Sequence, residues 1–158
     1  MCIRRKRFLW LKVKLVVISL IWLLCLFSAP AMADILIICN KTVSATGLSR
    51  NHIQDIFLGK RVLWENNHAI HVFVLKEEDI HKAFLEEYVH KSESQWKAYW
   101  KRMVFTGRGL PPKSINTEAE LIDLVAKTNG AIGYVSTEGL PEDTEANSVK
   151  ILKSRGDH

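Results

Sequence analysis

From Ile35 onward the chain alternates short apolar runs with longer stretches in which apolar residues recur every three or four positions. Ile35-Leu36-Ile37-Ile38-Cys39 is apolar throughout and rich in β-branched residues, which predicts a strand covered on both faces, the pattern of a parallel sheet. A polar connection, Asn40 to Gly47, separates it from a helix expected over Arg50 to Leu58. Ser49 stands at the N-cap, Leu48 and Ile53 are placed as a hydrophobic staple, Ile53, Ile56 and Phe57 form the buried stripe, and Gly59 is a left-handed stop. Ile70 to Leu75 reads as a second, central strand, followed by a helix opened by Glu77-Glu78-Asp79, whose acids suit the positive end of the helix dipole. Its stripe is Ile80, Phe84, Leu85, Tyr88 and Val89. Ser92 or Ser94 recaps the chain, and Trp96, Tyr99, Trp100 and Met103 carry an apolar face on to Phe105. Thr117-Glu118-Ala119-Glu120 has the form of a capping box for a helix through Leu121, Leu124 and Val125 that ends near Asn129-Gly130. Ala131 to Val135 and Val149 to Leu152 are the remaining strands. Strands alternating with helices predict an α/β layer fold, a mostly parallel or mixed sheet flanked by helices.

The N-terminus changes how composition is read. MCIRRKRFLWLKVK holds six of the 22 Lys+Arg and no acid; an apolar run from Leu15 to Phe27 and Ala31-Met32-Ala33 follow. A basic start, a run shorter than the roughly 20 residues of a spanning helix and a small-x-small ending are the parts of a cleavable signal peptide. The rival reading is an uncleaved anchor. Domain bounds on the first reading are 1–33 for the signal, 34–153 for one folded domain and 154–158 for a frayed tail, with a periplasmic location and no stable membrane insertion after cleavage. Without the leader, 16 Lys+Arg face 17 Asp+Glu, so the formal +5 belongs to the export signal and gives no nucleic-acid footprint. Cys39 is then the remaining cysteine, and the domain must hold together by its core.

Candidate chemistry is sparse. In Val104-Phe105-Thr106-Gly107-Arg108-Gly109-Leu110-Pro111-Pro112, the residues Thr106, Gly107, Arg108 and Gly109 offer a hydroxyl, backbone amides and a guanidinium, the groups of an oxyanion cradle. The same residues also read as a helix stop, with Gly107 at the turn and the proline pair preventing continuation. His68, His71 and His81 lack the spacing and the completing thiol or carboxylate of a zinc site, so no metal and no cofactor is assigned. Nothing in the sequence activates Cys39 as a nucleophile, and no Gly-x-Ser-x-Gly, phosphate loop or paired-acid pattern is present. Trp96 and Trp100, four apart, fit core packing; exposed together they would mark a partner surface.

Leu48-Ser49, Ile56-Phe57-Leu58-Gly59-Lys60 with Trp64, Phe105-Thr106-Gly107 and Gly130-Ala131-Ile132-Gly133-Tyr134-Val135 resemble the phosphate-type periplasmic solute-binding proteins of ABC uptake systems, and most closely their short, single-module relatives. The resemblance runs from about Ile35 to Leu152. It implies one lobe of the type 2 periplasmic-binding-protein fold, where full-length members close two lobes over a ligand. It further implies a non-enzymatic module for a small oxyanion such as phosphate, accessory to an envelope transporter or sensor protein. The alternative is a ligand-free protein-interaction module on the same fold. One departure stands out. Where the family carries an Arg and a Ser-Gly-Thr element, this chain has Lys76-Glu77-Glu78-Asp79, and acids in a first helical turn repel a dianion. No phosphate ligand is carried over to those positions.

Overall fold

The computed structural model describes residues 34–76, 79–140 and 149–155. The expected leader over 1–33, the acids Glu77 and Glu78, and the last three residues lie outside them. Strand β1 (Ile35–Cys39) is buried almost throughout, as its apolar run requires. After the polar connection a three-residue strand, β2 (Gly47–Ser49), leads directly into helix α1 (Arg50–Phe57). The Ser49 hydroxyl accepts the His52 amide, and Ile53, Ile56 and Phe57 are buried. Strand β3 (His71–Leu75) is followed by helix α2 (Asp79–Phe84), which widens into a π-helical turn, Leu85–Val89, closed by His90 in the left-handed region at φ 55°.

Helix α3 (Glu93–Phe105) has a complete capping box: the Ser92 hydroxyl accepts the Gln95 amide, and the Gln95 side chain accepts the Ser92 amide. Trp96 and Trp100 are buried, but the apolar face stops short of the expected end, because Phe105 is 78% exposed. Strand β4 (Lys113–Ile115) precedes helix α4 (Glu118–Lys127), then β5 (Ala131–Ser136) and β6 (Lys150–Arg155). Only half of the capping box expected at α4 forms. Thr117 accepts the Glu120 amide, while the carboxylate that reaches out is that of Glu118, which accepts the Ser136 amide (2.5 Å) and the Ser136 hydroxyl (3.1 Å) and so ties the end of β5 to the start of α4.

Among the described residues six strands form one mixed sheet in the order β2-β6-β1-β5-β3-β4. The β3–β5, β3–β4 and β2–β6 pairs are parallel. β1 runs antiparallel to both its neighbours, β5 and β6, which corrects the parallel direction expected of its apolar run. A strand covered on both faces shows the same run whichever way its neighbours point. β6 continues through Arg155, pairing Ser154 with Leu48 and Arg155 with Ser49, so the tail expected to fray from 154 is still strand at its first two positions.

Alternation along β5 distributes the helices. Tyr134 packs ring on ring with Phe84 of α2 (3.9 Å between centroids), and Phe84 meets Phe57 of α1 (4.6 Å), so α1 and α2 cover the face that Tyr134 points to. Gly133 points the other way, where a Cβ would come within 2.7 Å of Leu121 in α4. Helices therefore flank both faces of the sheet. Asn40, just past β1, is buried and holds α4 in place: its side chain donates to the carbonyls of Val125 (2.9 Å) and Ala126 (2.8 Å), and its oxygen accepts the Thr42 amide and hydroxyl.

Candidate functional site

The end of α3 decides what Thr106, Gly107, Arg108 and Gly109 can do. Thr106 is the C-cap residue, and Gly107 adopts φ 66°, which lets the chain reverse without a Cβ clash. The Gly107 amide then donates to Val104 O (3.0 Å), the Arg108 amide to Met103 O (2.9 Å) and the Thr106 amide to Arg102 O (3.0 Å). The Thr106 hydroxyl also bonds back to Arg102 O, at 2.9 Å. These donors satisfy carbonyls left over at the helix end, which is the negative pole of its dipole. The groups this loop has left to present to a solute are the Arg108 guanidinium and the Gly109 amide. Thr106, Gly107 and Arg108 are exposed; Gly109 is half-buried beside the rings and chains of Trp100 and Met103.

The chain runs on from Gly109 along an open groove of about 460 Å³. Leu110-Pro111-Pro112 line it together with Ile56, Phe73, Trp100, Leu124 and Thr128. The groove exists because β4 is short. It begins at Lys113, opposite Phe73, so His71 and Val72 at the start of β3 have no strand beside them on that edge. Residues paired in register point to one face, and so do residues two apart along a strand, which puts His71, Phe73 and Lys113 on the same side. The polar side chains lining the groove are His71, Lys113 and Thr128, with no acid among them. Trp100 is 6% exposed, and its Nε1–H is buried without a hydrogen-bond acceptor among the described residues. A buried donor left unpaired costs about 1–3 kcal/mol, so most are matched.

The other singled-out residues lie elsewhere. His81 is buried in the core and shares a 2.5 Å hydrogen bond with the Tyr134 hydroxyl, which itself accepts the Leu75 amide. His68 sits in an exposed turn near Asn66. The three histidines therefore go to three separate places. Cys39 is fully buried and its thiol is pushed up to about 11, chiefly by burial, with Lys150 pulling the other way. That is the reverse of what activates a thiolate. Lys60 pairs with Asp55 at 3.0 Å past the end of α1. The sequence reading missed the groove, since its lining comes from five separate segments; the proline pair followed by Lys113 was the one local signal available.

No family model matches the chain, and no curated protein matches it. Solved structures do. An ABC-type phosphate transport receptor from Vibrio cholerae superposes with a TM-score of 0.51 at 17% identity, over 78% of this chain and 47% of that one. A phosphate ABC transporter substrate-binding protein with bound phosphate, from Clostridium perfringens, gives 0.60 at 22% identity, over 78% and 46%. PstS from Borrelia burgdorferi gives 0.61 at 12%, over 78% and 47%. The chain thus spans less than half the length of these proteins, which are named as receptors and binding proteins. Its fold is similar to part of these phosphate-transport proteins, over 78% of this chain.

Proposed function

We propose that this protein is an exported, non-enzymatic solute-binding module that takes a small oxyanion, phosphate or another, as an accessory to an envelope transport or sensing system. The observation that carries the reading is the groove bordered by Lys113 and His71, with no acid in its lining. Its sign of charge suits an anion, and the exposed Arg108, two positions before Leu110 in the chain, offers a fork for paired oxygens. The fold is one that phosphate receptors use, and the basic, apolar leader over 1–33 fits export.

The test is a thermal-shift screen of the protein against phosphate, sulfate and other small anions. Ligand at a hundredfold its Kd adds about 2.7 kcal/mol of stability, a shift of several degrees. Arg108→Ala and Lys113→Ala should each shrink that shift. No response to any anion at millimolar concentration would defeat the reading. A protein-interaction module is the second reading, favoured by the exposure of Val104, Phe105 and Leu110 (45%, 78% and 82%) around the end of α3. A silent screen leaves that one standing.

A further inference from the structure

We infer that the end of helix α3 and the loop after it are a docking surface for an anionic lipid membrane, resting on the bilayer and not spanning it. The inference is independent of the groove and of any small solute. Charge along the chain is the first observation. From Ser94 to Thr117 there is no Asp or Glu, while Lys97, Lys101, Arg102, Arg108 and Lys113 are basic. Elsewhere Arg50, Lys60, Arg61 and Lys127 each stand beside a carboxylate. Lys101, Arg102, Arg108 and Lys113 are exposed and have no ion pair among the described residues. A helix C-terminus draws cations to its last turn, which accounts for Arg102 but not for Arg108 or Lys113, beyond the helix.

Apolar side chains stand among these cations. Phe105 and Leu110 are the two most exposed large apolar residues among the described ones, and Val104 adjoins them in the chain. Phe105 comes nine residues after Trp96 and five after Trp100, which at 3.6 residues per turn sets it on the side of α3 away from those buried rings. Lys101, one turn back, holds its ammonium 6.0 Å from the centre of the Phe105 ring. Gly107, between Phe105 and Leu110, has open space where a Cβ would be, so the loop stands clear at that point. Apolar side chains projecting singly between Lys and Arg suit the boundary of a bilayer, where the apolar groups leave water and the cations meet headgroup phosphates. A stable protein partner needs a broad continuous surface, about 800 Å² on each side, whereas lipids close around isolated side chains.

The chain from Asp34 is the form to test, because a basic, apolar leader binds lipid by itself. The described residues from Asp34 on form a compact unit, with its core between Ile35 and Leu152. Cosedimentation is measured with vesicles of phosphatidylcholine alone and of phosphatidylcholine mixed with phosphatidylglycerol. The expected result is binding to the phosphatidylglycerol vesicles that weakens as salt rises and is at least about tenfold poorer on phosphatidylcholine. Arg108→Gln should weaken it about fivefold, and Phe105→Ser together with Leu110→Ser at least about tenfold, all at exposed positions that leave the melting temperature in place. Lys127→Gln removes the same charge from α4, where Asp123 pairs with it at 2.7 Å, and should leave binding unchanged. Equal binding to both vesicles, no binding to either, an equal loss with Lys127→Gln, or indifference to the double apolar variant would overturn the inference. The exposed apolar residues would then be left to a protein partner. Vesicle binding with no response to small anions would remove the oxyanion function alone.

Discussion

Gly107 and Gly130 share a left-handed backbone, at φ 66° and 71°, but their surroundings differ. At Gly107 a Cβ would meet nothing within 4 Å. At Gly130 it would stand 2.4 Å from the Ala69 carbonyl oxygen, and the Gly130 carbonyl accepts both the Trp64 indole N–H (2.9 Å) and the His71 amide (3.2 Å). Gly107→Ala should therefore cost the dihedral penalty alone, about 1–2 kcal/mol. Gly130→Ala must also displace backbone and disturb the start of β3, and should exceed about 3 kcal/mol. Urea unfolding of the two variants measures the difference; equal losses would refute the steric argument. At this scale the sequence was readable where chemistry is local. Ser49, Ser92 and Gly107 do what their types and positions predict. The buried roles of Asn40 and Tyr134 were not readable, because their partners lie far along the chain.

Helices and strands differ in how plainly they announce themselves. The four α-helices among the described residues could be read from stripes and caps, since both signals lie within the element. The three-residue strands β2 and β4 could not, because a strand that short carries no periodicity and is defined by its neighbour. Yet β4, by starting only at Lys113, is what opens the groove. The C-terminal end of α4 depends on a residue outside it. Asn40 fills two carbonyls of its last turn and is itself held by Thr42. Asn40→Ala should cost about 2–3 kcal/mol by leaving buried polar groups unmet. Asn40→Asp should cost more, since it sets an acceptor against two carbonyl oxygens. Melting temperatures of the pair check that order, which would be reversed if the contact were merely steric.

Over the molecule as a whole, stability should carry a mark of the buried thiol. Burial raises Cys39 from its ordinary value of 9.0 to about 11, so the folded state holds this proton more tightly than the unfolded chain does. Its contribution is complete below about pH 9 and is lost as pH rises toward about 11, to a total of about 3 kcal/mol. Between those limits the wild-type stability should fall more steeply than that of Cys39→Ala, as read by denaturant titrations at stepped pH. Parallel slopes would show that the thiol does not couple to folding. The layer architecture was legible in the order of strands and helices; the direction of β1 was not, since burial on both faces records coverage and not polarity.

The place of β6 between β1 and β2 sets a timetable. Ile37 waits for Leu152, and Leu48 for Ser154, so β1 and β2 keep bare edges until β6 has been made. Pairings so distant in sequence are slow to close, and uncovered edges invite strands from other molecules. A nascent copy of this protein is thus most exposed to aggregation just before β6 arrives.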